Sequence, residues 1–219
     1  MQNFDKLFNT LMEAHVGIRS SNPERDLELG LKSEAEFEEI CDQNKLVWKE
    51  SSKKEDMFDK FDYRVFKRNG ERAWIDRPEN ARNRKTCNYV EVKGQKLLKG
   101  TSDKILIELR NVSSGIGWLY GKANYIALKK LDDVGFRMIP RYNLMIELEK
   151  MCNFTKTSDN EFFYKDNKQP VKETKDALQS TISDEEGRCV FYNRGEDLVI
   201  YVPDSFVEQM KAFEILPKR

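Results

Sequence analysis

Between Phe61 and Pro140 the chain carries about five short apolar or alternating runs, each closed by turn residues and none long enough for a globular helix. They are Phe61–Phe66, Asn88–Lys93, Ile105–Val112, Tyr125–Leu128 and Phe136–Pro140. β-Branched and aromatic side chains dominate them, which suits a pleated, half-buried surface. Segments of helical spacing stand on both sides. Upstream, Leu27, Leu31, Phe37 and Ile40 follow a natural helix start at Asn22-Pro23, and the pattern ends near Asp42-Gln43-Asn44. Downstream, Leu144, Ile146, Leu148 and Met151 repeat at helical intervals. Clustered strands between helices predict an α/β (α+β) domain, with a central mixed sheet of about five strands flanked by helices.

The remaining segments complete the layout. Phe4, Leu7, Phe8, Leu11 and Met12 predict a first helix over residues 2–14. Leu46-Val47-Trp48 reads as a short strand and Ser51–Asp56 as a polar loop. From Thr155 to Gly187 hydrophobicity drops and Lys, Asp, Glu, Ser and Thr dominate, which predicts a polar insertion or mobile segment. Cys189–Tyr192 and Leu198–Pro203 read as a hairpin across Asn193-Arg194-Gly195. A closing helix then starts at Asp204 or Ser205, with Phe206, Met210, Phe213 and Leu216 on one face. The expected division is 1–26 as N-terminal helix and linker, 27–152 as the core, 153–188 as the polar insertion, and 189–219 as hairpin and helix packing on the core.

Composition removes several classes of function. Lys+Arg and Asp+Glu balance at 38 each in 219 residues, so any nucleic-acid contact needs a local basic patch rather than a polycationic surface. Cys41, Cys87, Cys152 and Cys189 are scattered with no Cys-x-x-Cys pair, which argues against a zinc knuckle and predicts reduced thiols. No targeting pattern and no apolar run of membrane-spanning length stands out, so a soluble cytoplasmic protein (host cytoplasm if viral) is expected. His15 is the single histidine, and it falls in the N-terminal helical pattern. Histidine-based hydrolases and multi-histidine metal sites therefore have one ring to work with. Carboxylates, lysine and a metal ion are left as the expected chemistry.

Glu91-Val92-Lys93 concentrates that chemistry. Residues two apart on a strand share a face, so a carboxylate and an ammonium would stand side by side. Asp62 lies inside the preceding apolar-aromatic strand, where aspartate is disfavoured. If the two strands pair, two carboxylates and a lysine converge, as a hard divalent cation and a phosphodiester would require. On the upstream helix, Glu34 or Glu36 could lean over the sheet, with a solvated acidic face as the alternative. Arg77, Arg82, Arg84 and Lys85 precede Glu91, Lys96 and Lys99 follow Lys93, and Lys122 stands beside Trp118 and Tyr120. Interleaved basic and aromatic groups suit phosphate contact and base stacking, although Trp118 and Tyr120 equally suit core packing. No glycine-rich phosphate loop is present, and Gly115-Ile116-Gly117 reads as a turn.

The succession of a helix with glutamate, a strand with Asp62 and a strand with Glu91-Val92-Lys93 resembles the PD-(D/E)XK, or restriction-endonuclease-like, nuclease superfamily. The strings Phe58–Tyr63, Val90–Gly94, Ile105–Val112 and Gly117–Ala127 are similar to its phage and viral members. The resemblance covers roughly residues 27–150. The proline that usually precedes the aspartate is replaced by Phe61. What the resemblance implies is metal-dependent hydrolysis of phosphodiester bonds in DNA. Asp62, Glu91 and the Val92 carbonyl would hold Mg²⁺ or Mn²⁺, Lys93 would orient the nucleophile or stabilise developing charge, and Glu34 would hold a second ion or a water. Arg82, Arg84, Lys85, Lys96, Lys122, Trp118 and Tyr120 would contact DNA, possible two-strand cleavage would favour a homodimer, and a catalytically inactive binding module is the alternative. Glu108 has the right residue type, but pairing with Arg110 or Lys93 is an equal reading.

Overall fold

The computed structural model describes residues 23–74, 87–94, 104–111, 115–129, 134–175, 189–194, 197–210 and 212–218. The expected helix over 2–14, with His15, lies outside them, as do Arg77, Arg82, Arg84, Lys85, Lys96 and Lys99.

Helix α1, Pro23–Gln43, begins on the proline and stops where the sequence predicts. Its C-terminal half buries Phe37, Ile40 and Cys41, but Leu27 and Leu31 are exposed. Strand β1 is Leu46–Glu50. Next comes helix α2, Lys53–Asp59, where a polar loop was expected. Its cause is a capping box: Ser52 Oγ accepts from Glu55 N at 3.3 Å, and Ser52 N donates to Glu55 Oε2 at 3.0 Å. No residue of α2 is buried, so hydrophobic periodicity could not announce it.

Strands β2 (Tyr63–Lys67), β3 (Asn88–Gly94), β4 (Lys104–Arg110), β5 (Tyr125–Lys129) and β6 (Phe136–Pro140) follow, with a 3₁₀ turn at Trp118–Tyr120. Helix α3 spans Arg141–Met151, and β7 (Phe154–Lys156) and β8 (Phe162–Tyr164) form a hairpin after it. The chain ends through β9 (Glu173–Thr174), β10 (Phe191–Arg194), β11 (Asp197–Pro203), the short helix α4 (Asp204–Glu208) and β12 (Phe213–Ile215).

Apart from the β7-β8 hairpin, these strands make two sheets rather than one. The first is a mixed six-stranded sheet in the order β1-β2-β3-β5-β6-β12, with β3 and β5 parallel and the other pairs antiparallel. The apolar run at Ile105 leaves it, because β4 pairs with β11 in a second sheet of order β4-β11-β10-β9. One face of the first sheet packs Tyr63, Val65, Val90, Val92, Tyr125 and Met138 against Phe37 and Ile40 of α1. Its other face contributes Ile126 and Leu128 to the larger core, shared with Ile105, Ile107, Leu198 and Ile200 of the second sheet and Leu144 and Leu148 of α3.

Three expectations are corrected here. The segment after 152 is not merely polar: Phe154, Phe162, Tyr164 and Val171 are buried, and the Tyr164 hydroxyl donates to the Cys189 carbonyl at 2.6 Å. Cys152 and Cys189 are joined by a disulfide inside the larger core instead of standing as reduced thiols. The expected C-terminal helix stops at Glu208, and Phe213–Ile215 pairs with β6, where the backbone ladder and the burial of Ile215 outweigh helical spacing.

Candidate active site

Val90 and Val92 point into the α1-side core, so Glu91 and Lys93, at alternating positions of β3, point to the opposite face. Register then selects their neighbour. Tyr63 pairs with Val90, and one further step places Asp62 across from Glu91. Asp62 stands in the bend just before β2 rather than within a strand, which removes its conflict with strand propensity. Its backbone is nevertheless tied on both sides. Asp62 N donates to Val90 O at 2.8 Å, and Ser51 N donates to Asp62 O at 2.7 Å. The side chain is tied too, since Val92 N donates to Asp62 Oδ2 at 2.6 Å.

The approach to Asp62 is clamped from below. Lys60, 9% exposed, adopts a left-handed conformation with φ 55° as the C-cap of α2. A Cβ on Gly121 would lie 2.5 Å from Lys60 Cβ, so only glycine allows this contact. Lys122 N donates to Asp59 O at 2.6 Å, and Lys122 Nζ pairs with Asp59 Oδ1 at 2.8 Å.

Glu91 is 2% exposed. Lys93 Nζ lies 2.5 Å from Glu91 Oε1, with 38% of the lysine side chain open to solvent. Glu91 Oε2 is buried and has no hydrogen-bond partner among the described residues. Such an atom carries a desolvation penalty unless something arrives to pair with it. Two more carboxylates belong to the same field. Glu34, half-buried on α1, is brought in where Gly94 lets the helix meet the end of β3: a Cβ there would lie 2.7 Å from Ser33 Oγ. Glu108, half-buried on β4, faces the same charges from the second sheet. Glu36 is engaged elsewhere, its Oε2 at 2.8 Å from Lys129 Nζ.

Burial pushes the Asp62 carboxyl well above the usual carboxylate range, and the Glu91 charge adds to it, while Lys93 and the Val92 amide oppose. Burial likewise raises Glu34 and Glu108, with the Lys93 ammonium lowering each. Lys93 is pulled down by its own desolvation, but Glu91, Asp62 and Glu108 outweigh that and leave it above the ordinary lysine value. Lys93 is thus the ammonium that all of these carboxylates feel, and Lys60 also lowers Glu108.

Asp62, Glu91, Lys93 and Glu34 thus fall in one electrostatic cluster. Val92 contributes its backbone, and its side chain belongs to the core. Trp118 and Tyr120 take the packing alternative that their sequence context also suited. Trp118 is 3% exposed inside the larger core and has no free face for a base. Tyr120 donates its hydroxyl to Glu149 Oε1 at 3.0 Å and tilts against Phe162, both packing roles. Lys122 remains exposed while paired with Asp59. Two neighbours of the site, Lys60 and Arg64, carried no sequence signal beyond proximity to Asp62.

Among the described residues, no group of three or more His, Cys, Asp or Glu side chains is gathered as a ready metal cage, and no helix is long and apolar enough to cross a membrane. The chain matches no known protein family, no curated protein and no solved structure.

Proposed function

We propose that this chain is a divalent-metal-dependent nuclease that hydrolyses phosphodiester bonds in DNA. The observation that carries the reading is Glu91 Oε2, a buried carboxylate oxygen without a partner, beside Asp62 and next to a lysine already held by Oε1. The donor set fits a hard cation. Asp62 keeps Oδ1 free of the Val92 amide, Glu91 offers Oε2, and the Val92 carbonyl is the third oxygen of the set. Mg²⁺ or Mn²⁺ bound there would supply Lewis acidity and a water of lowered pKa.

The chain's own groups account for the rest. Lys93, fixed by Glu91 and partly open to solvent, is placed to donate to a non-bridging phosphate oxygen as negative charge builds on it. Glu34 adds a carboxyl raised by burial, suited to hold a water near the lysine. The strand order β1-β2-β3-β5, with β3 and β5 parallel, supports a restriction-endonuclease-like reading, as does the carboxylate at the start of β2. Two-strand cleavage would favour a homodimer.

A second reading, a nuclease-fold module that binds nucleic acid or protein without cutting, is favoured by the packing roles of Trp118 and Tyr120 and by the balanced net charge. Incubation with supercoiled, linear, single-stranded and branched DNA, with Mg²⁺, Mn²⁺ or chelator, separates the two. Cleavage is expected only with metal and should vanish in Glu91→Ala and Lys93→Ala. Cleavage that survives both substitutions would sink this site.

A further inference from the structure

Arg64 stands on β2 two residues from Asp62, and its cross-strand partner Tyr89 stands two residues from Glu91 on β3. All four positions share one sheet face, so they form a line: Arg64 and Tyr89 at one end, the carboxylates in the middle, Lys93 at the other end. The guanidinium is carefully held. Its Cζ lies 5.1 Å from the Phe61 ring centroid and 5.9 Å from that of Tyr89, and those two rings stack at 4.5 Å. Arg64 Nη1 donates to Glu50 O at 3.5 Å, and Nη2 pairs with Glu55 Oε1. The side chain is 28% exposed and Glu55 is 31% exposed, so the pair is open to solvent and to a ligand.

A partly exposed ion pair of this kind contributes little to stability, so a competing anion can displace Glu55 at small cost. Two residues of strand rise is about 6.6 Å. That separation is comparable to the spacing of neighbouring phosphates along one nucleic-acid strand. Arg64 is the guanidinium on the strand that Asp62 opens, and it can offer a planar fork to a phosphate.

Resting on the nuclease reading above, we propose that Arg64 binds the phosphate adjacent to the one cut, and that Glu55 occupies the guanidinium until that phosphate displaces it. Phe61 and Tyr89 lie against the guanidinium, so the phosphate meets a group already held in place. Glu55 lowers affinity for the correct ligand but keeps other anions from the site.

The test is binding of a fluorescein-labelled single-stranded oligonucleotide to the full chain in chelator, by anisotropy across a salt series, paired with Mg²⁺-dependent cleavage of the same oligonucleotide. Arg64→Gln should weaken binding about tenfold. It should also flatten the slope of log K against log salt by about 0.7, one phosphate contact on a single strand. Glu55→Gln should act in the opposite direction and tighten binding several-fold; glutamine still serves the capping box, so α2 is preserved. Glu71→Gln removes the same charge from the Lys67 pair, away from the carboxylates, and should change little. A merely structural Arg64 would not yield tighter binding in Glu55→Gln. Unchanged affinity and slope in Arg64→Gln, with wild-type cleavage intact, overturns the inference alone. Wild-type protein that binds through Arg64 without cutting overturns the catalytic reading and leaves the phosphate contact standing. Wild-type protein that neither binds nor cuts overturns both.

Discussion

Gly94 is where the middle of helix α1 meets the end of β3, and an alanine there tests whether that contact positions the carboxylate cluster. The added Cβ would lie 2.7 Å from Ser33 Oγ, 3.6 Å from Ser33 Cβ and 3.5 Å from Leu29 O. Only the first is prohibitive; the others are ordinary van der Waals contacts. Ser33 is 7% exposed, and its hydroxyl donates to Leu29 O at 2.9 Å, so it has little room to turn away. Overpacking of this kind costs about 1–3 kcal/mol, against which alanine returns about 0.4–1 kcal/mol by restricting the unfolded chain. The net destabilisation is therefore up to about 2.6 kcal/mol, or a fall in Tm of up to about 10 °C for a chain of this size. Ser33→Ala removes the one prohibitive atom. In the double variant Gly94→Ala/Ser33→Ala most of the loss should return, giving a coupling of roughly 1 kcal/mol in a urea-denaturation cycle. Because Glu34 adjoins Ser33, the proposed nuclease function predicts that Gly94→Ala also weakens Mg²⁺-dependent cleavage and that the double variant restores it. Strict additivity of the two substitutions would refute the claim that this contact positions α1.

Three further outcomes follow from the same coordinates. The Asp62 carboxyl is raised in the folded protein, so between its folded pKa and the ordinary carboxylate value the folded state holds more protons, and stability rises as pH falls through that window. Asp62→Asn should make the metal-free protein more stable near neutral pH and flatten this part of a Tm–pH profile; an unchanged profile would contradict the burial of that charge. The Cys152–Cys189 bridge closes a separation of 37 residues, which in the chain-entropy account is worth about 4 kcal/mol. Thiol titration under denaturing, non-reducing conditions should therefore find the two cysteines Cys41 and Cys87 free, and Cys152→Ala/Cys189→Ala should lower the denaturation midpoint; four titrating thiols would refute the bridge. Trp118→Ala, at 3% exposure, should cost about 3–5 kcal/mol in unfolding free energy while leaving the affinity of the folded protein for an oligonucleotide unchanged. A selective loss of binding would restore its expected stacking role.

Local pattern settled a good part of this protein. Pro23 and the spacing to Ile40 announced α1, alternation announced β2, β3, β5 and β6, and Asn193-Arg194-Gly195 announced the final hairpin, because each signal resides in neighbouring residues. Glu91 and Lys93 shared a face by strand period alone, and the two-residue interval needed no fold to interpret it. Ser52 and Glu55 also carried a readable capping box, hidden only because α2 buries nothing. What the sequence could not decide was pairing at a distance. The apolar run of β4 was equally fit for either sheet, and only the β11 partner assigned it to the second. Phe213–Ile215 changed from helix to strand because β6 offered an unpaired edge. Trp118, Cys152 and Cys189 acquired their roles from the core that surrounds them. The convergence of Asp62 on Glu91 likewise belongs to tertiary structure, since it rests on the register of β2 against β3 and on a clamp from Gly121 and Lys122 across the chain. Residue type and period are local properties, whereas register, burial and the field that one charge imposes on another exist only once distant segments are packed together.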